Sequence, residues 1–526
     1  MTYTIPEVIK KYNVASAVKQ TWDDKYKEVF KYTMPQRDGY DGNDDKEADE
    51  RRDTLYTSVG ENSADEFVNT MQLELCPPQA NWIDLEAGKA IPEEEREEKN
   101  IELEKIAEMA NEFKNNSNFD IAFSEFCYDL VAGTACLLVT AGSIKQPLRF
   151  KAVPLKDFCI EEGANSEVSS VFRSFSIRRE LVKYQWRELN DSDLYSGDSD
   201  KKNVNILECT YKDYATDKFV YLVIDKDAEK QLVKRVHESN PFVVLRWNKT
   251  AGEAYGRGTG MKALPDLKTL NLVKEYALRA LAFNIPTFLA QQDASIDYEE
   301  FLLEAGAINV VPSTATNNPS IIPLTVATNP NIEQFHIDDL TMAIKQSMYA
   351  NTLPTENTGK MTAYEVATRE GTLNKNLTSV YGRLVGEFLI PLHHRIFEIL
   401  ESFGIVNEVL NLTERLDGYF YKVKVNSNLS NKLVASEVRA MLSGIELTTA
   451  LDQTGQLTHQ TIKTSALAPY LLASMGMPSK FINTKKEIQQ IAQQQAEAQR
   501  QQQVQAMQDE VLTNTAMEEG KVNANK

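Results

Sequence analysis

Gly256, Gly258 and Gly260 form a Gly-x-Gly-x-Gly run just ahead of a long apolar-periodic stretch. Backbone amides at such a helix start can cradle phosphate. A dinucleotide site also needs a strand–turn–helix fold around the glycines, which this stretch lacks. The run reads instead as a hinge at which the chain turns into a helix, using the conformational range of glycine. A phosphate loop for nucleotide hydrolysis would read Gly-x-x-x-x-Gly-Lys-Ser/Thr. Gly88-Lys89-Ala90 and Gly359-Lys360-Met361 come nearest, and neither has the upstream glycine or the magnesium-binding hydroxyl. The chain is therefore expected not to hydrolyse ATP and not to be an enzyme.

Metal chemistry is equally poorly provided for. Asp38, Asp41, Asn43 and Asp45 share a short acidic loop, but the ligand spacing and closing glutamate of a calcium loop are missing, so a solvated turn is expected. His393 and His394 are adjacent, and on a helix their side chains diverge by about 100°, which argues against a shared metal and for surface or interface positions. The five cysteines, Cys76, Cys127, Cys136, Cys159 and Cys209, are odd in number and contain no Cys-x-x-Cys, which points to reduced thiols. No metal or cofactor is expected. With 57 basic against 76 acidic residues the net charge is −19, unsuited to gripping nucleic acid broadly and compatible with letting a polyanion slide. No stretch of the sequence has the length and apolarity of a membrane span, and the first twenty residues lack a signal-like apolar core, so synthesis and retention in a cytoplasm are expected.

A chain of 526 residues needs more than one packed region. Apolar spacing predicts a helix from Thr54 to Leu75, stopped by Cys76-Pro77-Pro78, and a second opened by the acidic run Pro92–Lys99. Between Ala135 and Trp247 the runs CLLVT, LRFKAVP, SVFRSFSIR, VNILECTYK, KFVYLVID and FVVLRW predict an antiparallel sheet region. A helix over Met261–Phe283, about 35 Å long, is followed by a small mixed insertion with strand-like INVVP and SIIPL, and by a second helix over Ile332–Leu353. The clearest helix, Ala363–Phe403, carries Pro391 and should kink there. A strand (YFYKVKV) follows. The glutamine-rich Ile488–Glu510 is either a helix packed in an oligomer or a partly ordered tail. The fold class is α+β, mainly α.

Four stretches resemble the head-to-tail connector, or portal, family of short-tailed phages (podoviruses, T7-like). They are Leu55–Gly88, with its Pro-Pro turn; Ala254–Asn271, a glycine-rich approach to a helix; Met361–Leu400, with Met-Thr-Ala-x-Glu-Val and Tyr-Gly-Arg-Leu; and Ala466–Gln503, ending in the glutamine-rich run. The resemblance implies a wing over 1–255, stem helices over 256–284 and 333–352 around a clip at 285–332, a tunnel loop at 353–361, a long wing helix and strand over 362–430, and a crown over 431–526. It implies a dodecameric ring at a unique capsid vertex of the virion, through which double-stranded DNA passes in packaging, retention and ejection. Implied partners are the terminase large subunit (the packaging ATPase), then a tail adaptor, with major capsid and scaffolding proteins and internal core proteins.

On that plan Thr355, Glu356, Asn357, Thr358, Gly359 and Lys360 form the DNA-facing tunnel loop, whose contacts would be weak and phosphate-directed. Lys262, Lys268 and Lys274 line the channel, pair with a neighbouring subunit or simply face solvent. Two other readings stay open from the residues alone. A different virion adaptor or assembly protein would not form rings with a central hole, and a metal-dependent nuclease would need a compact carboxylate site that the sequence does not display.

Overall fold

Helix α1 (Ile5–Thr33) begins where the Glu7 carboxylate accepts hydrogen bonds from the Thr4 amide (2.8 Å) and hydroxyl (2.9 Å), with Pro6 in the first turn. The sequence did not announce it, because its apolar contacts come only about once per turn between lysines. Val8 and Ala15 pack on a sheet, while Trp22, Tyr26 and Val29 continue the same buried face. The computed structural model describes residues 3–35, 54–88, 91–186, 189, 203–283, 288–290, 321–323, 330–350, 380–405, 421–426 and 440–448, and scattered further positions between 430 and 504. The chain folds as two units, one of Met1–Trp82 with Ala110–Asn411 and one of Ile83–Met109 with Leu412–Lys526.

In the first unit, α2 (Val59–Leu75) ends at Cys76 ahead of the two prolines, as expected. Two antiparallel sheets follow. One is three-stranded in the order β3-β2-β9, from β2 (Thr134–Ser143), β3 (Gln146–Val153) and β9 (Phe242–Arg246). The other is a five-stranded meander of β4 (Phe158–Glu162), β5 (Val168–Arg178), β6 (Asn203–Asp213), β7 (Lys218–Asp225) and β8 (Lys230–His237), with the short helix α5 (Arg179–Gln185) following β5. Its register places Phe172, Cys209 and Leu222 side by side, and these pack with Val8 and Ala15 of α1. The alternate residues Arg173 and Glu208 form a buried ion pair at 3.0 Å, and the Tyr221 hydroxyl donates to Glu208 at 2.5 Å. Strands β4 and β8 were not foreseen. Both are edge strands, where lysines and acids replace the apolar alternation that marks an interior strand.

α4 (Phe119–Ala132) lies at the centre of this unit. Its Phe119, Phe123 and Phe126 stack successively and meet Phe150 of β3 and Phe388, with ring centroids between 4.9 and 5.9 Å. α6 (Thr259–Phe283) starts two residues earlier than expected and tolerates Pro265 near its start; α7 (Pro330–Ser347) packs against it. A short antiparallel pair, β10 (Phe288–Ala290) with β11 (Ile321–Pro323), lies between them in sequence and takes in part of the SIIPL run. The INVVP run lies outside the described residues.

The helix predicted to kink at Pro391 is described from Val380 onward, and its first part, 363–379, lies outside the described residues. Instead of a simple kink it winds as a π-helical turn over Leu384–Leu389, then continues as α8 (Ile390–Ser402). The Ile390 amide donates to Val385, five residues back. A proline ring cannot sit against the carbonyl four residues earlier, and π winding moves that carbonyl away.

In the second unit, β1 (Ile83–Ala87) pairs antiparallel with β12 (Tyr421–Val425), the predicted YFYKVKV strand, and Asp84 faces Lys424 across the ladder at 3.4 Å. The Ala87 amide donates to Asn100 of α3 (Glu93–Asn115), whose acidic start matches the sequence reading.

Candidate functional site

The glycine run closes a turn from β9 into α6 that is tied down by backbone. The Trp247 amide donates to Gly133 (2.8 Å), Arg257 to Asn248 (2.6 Å), Gly258 to Ala132 (3.1 Å) and Gly256 to the Thr134 hydroxyl (2.9 Å). A Cβ at Gly256 would stand 2.5 Å from the Gly133 carbonyl oxygen, and one at Gly258 only 2.1 Å from that of Val131. Gly133 itself holds φ +132°, beyond the reach of an ordinary side chain. These glycines let two backbones touch. Because the Gly256 and Gly258 amides are spent on Thr134 and Ala132, they cannot bind a phosphate.

Beneath this turn lies a charge cluster that sequence reasoning missed. Arg246, at the end of β9, is 98% buried as a side chain and grips Glu387 with two nitrogens, at 2.7 and 3.2 Å. Its own amide donates to the same carboxylate at 3.1 Å. Its remaining donors reach the carbonyls of Ser166 (2.8 Å) and Ala254 (3.4 Å). Arg383 adds a second cation to Glu387 at 3.3 Å, and Lys249 pairs with Glu162, which lies 3.8 Å from Arg246. Burial pushes the Glu162 carboxyl up, but Lys249 and Arg246 outweigh it and hold the group below its ordinary range. Arg246 thus pins β9, the β4–β5 turn, the glycine loop and the π-helical turn to one point. The signal available was a lone arginine ending the apolar run FVVL and a lone glutamate four residues before Pro391.

A second cluster fixes α8 to the β8–β9 loop. Glu398 accepts from the amides of Glu238 (2.9 Å) and Ser239 (3.1 Å), from the Ser239 hydroxyl, and from Arg395 (3.0 Å). Although burial opposes ionisation, His237, Arg395 and Ser239 bring its carboxyl down to about 2. His393 is not at a surface: it is fully buried, its Nδ1 donates to the Leu389 carbonyl at 2.5 Å, and its ring lies 5.4 Å from Trp82. Burial lowers its pKa to about 4. The sequence placed it outside because a histidine pair looks polar, but the π-helical turn rotates this one into the core.

Of the three lysines singled out on α6, Lys262 is exposed, Lys268 pairs with Glu28 of α1 at 2.8 Å, and Lys274 donates to the Thr57 hydroxyl at 3.3 Å. The loop residues Thr355, Glu356, Asn357, Thr358, Gly359 and Lys360 lie outside the described residues, as does the acidic loop from Asp38 to Asp45. Among the described residues no helix is long and apolar enough to cross a membrane, and all five cysteines are buried free thiols. No group of three or more histidine, cysteine or acidic residues among them is placed to hold a metal ion.

Residues 6–482 match the protein family described as bacteriophage head to tail connecting protein. No curated protein matches the chain. Among solved structures it is similar to a chain of "Virion of native gene transfer agent (GTA) particle", with 9% identity, 80% of this chain and 91% of that chain covered, and a TM-score of 0.33. It is similar also to a chain of "Neck of empty GTA particle computed with C6 symmetry", with 9% identity, 81% and 92% covered, and a TM-score of 0.33. At that TM-score neither likeness bears on function.

Proposed function

The chain belongs to the bacteriophage head to tail connecting protein family, and on that footing we propose that it is the portal subunit of a short-tailed, T7-like phage. Copies assemble as a ring, a dodecamer, at one capsid vertex of the virion, and double-stranded DNA passes through its bore during packaging, retention and ejection. The observation that carries this reading is the family match over residues 6–482. The paired helices α6 and α7 support it, because α6 alone runs 25 residues, about 37 Å, long enough to form the wall of a channel.

In this reading the subunit is a passive conduit and not an enzyme. The Gly256 and Gly258 amides are already bonded within the chain, and force comes from a packaging ATPase, the terminase large subunit, which docks first and gives way to a tail adaptor. Capsid, scaffolding and internal core proteins surround the ring. The segment 285–332 is the docking clip and 353–361 the tunnel loop, with wing regions over 1–255 and 362–430 and a crown over 431–526. Gly256–Gly260 turn the wing into the first stem helix, 256–284, and 333–352 is the second. DNA contacts in the loop are made to phosphate without base readout, Lys360 supplying one cation per subunit in an otherwise acidic chain.

Gold-labelled antibody against the chain, applied to mature particles stripped of their tails, tests the location. Label at a single vertex per head is expected. Label spread over the shell, or none on intact heads, would make the chain another kind of assembly protein.

A further inference from the structure

Neither α2 nor α4 contains a lysine or an arginine. Phe67, Val68 and Met71 turn one side of α2 into the core, and Phe123, Phe126 and Leu130 do the same for α4, which leaves the opposite stripes to water. The two helices run antiparallel. At one end the Gln72 side-chain amide donates to the Asp120 carbonyl at 3.4 Å, and at the other the Tyr128 hydroxyl donates to Asp65 at 2.8 Å. The outward stripes therefore lie side by side, with a groove between them about 12 Å long from residue 65 to residue 73.

One end of this groove is apolar. Ile121 is 68% exposed and Leu73 58%, and Pro78 is exposed as well. Asp120 gathers the three, because Gln72, beside Leu73, reaches its carbonyl, and Gln79, beside Pro78, reaches its carboxylate at 3.4 Å. A lone exposed aliphatic is ordinary, whereas three around one residue make a patch. The remainder is acidic. Glu125 stands one turn along α4 from Ile121, and Asp65 two turns along α2 from Leu73, both exposed. Among the described residues no lysine or arginine forms an ion pair with Asp65, Asp120 or Glu125, whose printed neighbours are uncharged side chains, the Tyr128 hydroxyl and the Gln79 amide. Nucleic acid and anionic lipid are repelled by such a surface, and a second copy brings a net charge of −19 to it. A cationic partner with an apolar anchor satisfies both halves.

We infer that the α2–α4 groove docks a basic amphipathic helix belonging to another protein. A large apolar side chain of that helix seats among Leu73, Pro78 and Ile121. Lysines or arginines one and two turns further along the same face meet Glu125 and Asp65. The groove adds a docking surface to the conduit proposed above and does not depend on it, since one copy carries the whole site.

Fluorescence anisotropy with a labelled helical peptide of about 15 residues tests the groove on the full chain. The peptide carries two leucines at one end and arginines one and two turns on. Micromolar binding is expected, and Ile121→Asp and Glu125→Lys should each weaken it at least about tenfold. Glu180→Lys, an acidic position on α5, should leave it unchanged. A twin peptide with glutamates in place of the arginines should bind only the chain carrying both Asp65→Lys and Glu125→Lys. Circular dichroism checks that each variant keeps its fold. An arginine peptide that does not bind would overturn the inference, and so would equal weakening by Glu180→Lys and Glu125→Lys, which would mean that overall acidity attracts it. An Ile121→Asp chain whose sedimentation changes while its peptide affinity does not would also overturn it, because the face would then pack on another copy.

Discussion

Arg246 and Glu387 show what a single residue decides here. Both are charged, Arg246 is almost wholly removed from water while Glu387 keeps a fifth of its side chain exposed, and two side-chain hydrogen bonds join them. Breaking such a pair from one side leaves an unpaired buried charge, which costs about 3–5 kcal/mol. Glu387→Gln, which strands the buried Arg246, should lower the unfolding free energy read from urea titration by that order, and Arg246→Met, which leaves Glu387 with Arg383, by less. The double variant should lose less than the sum, and additive losses would show that the pair is not coupled. Two other residues set a pH response. Glu398 has a folded pKa of about 2 against the ordinary carboxyl value of 4.5, so its stabilisation is complete above the upper value and is lost as pH falls toward 2. His393, buried neutral with a folded pKa of about 4 against 6.5, loses its contribution as pH falls from 6.5 toward 4. Partial solvent screening limits the Glu398 share to about 1–2 kcal/mol. Acid titration of unfolding stability should fall through both windows, and Glu398→Gln should flatten the lower one only. A decline confined to the lower window would mean that His393 does not titrate in the core.

Among the elements, those whose neighbours in sequence are also their neighbours in space were legible. α2, the strands from β2 to β7 other than β4, and α6 follow from apolar period and from proline or turn residues at their ends. What could not be read depended on distant partners. α1 shows too few apolar residues to declare itself, yet it is held by a sheet that begins more than a hundred positions later. The lysines on α6 were correctly placed on a helix, but nothing nearby told that Lys268 meets Glu28 and Lys274 meets Thr57. The π-helical turn follows from Pro391, and the position chosen for the extra residue follows from Arg246, which anchors Glu387 inside it. The glycine turn makes the sharpest claim of this kind. Gly258→Ala puts a methyl 2.1 Å from a backbone oxygen that is itself fixed in α4, so the junction must open. The expected loss is about 3 kcal/mol or more, with amide exchange quickened over β9 and the start of α6. Exchange unchanged there would show that the turn relaxes freely, as a flexible hinge does.

For the whole molecule, the family follows from residues 6–482, and the acidic composition fits a duct more than a clamp. Acidity alone does not separate a channel from an ordinary soluble protein; it was the order of four motifs along the chain that pointed to the connector family. If the channel account is right, Lys360→Glu should leave assembly intact and alter packaging or retention of DNA, read as filled heads per infected cell. Unaltered filling would remove Lys360 from the mechanism. The central claim is that copies of this chain enclose a hole a duplex can traverse, and negative-stain imaging of the purified full chain tests it most directly. Closed rings with an opening wider than the roughly 20 Å duplex are expected. Compact particles with no opening, at every concentration and salt tried, would contradict it.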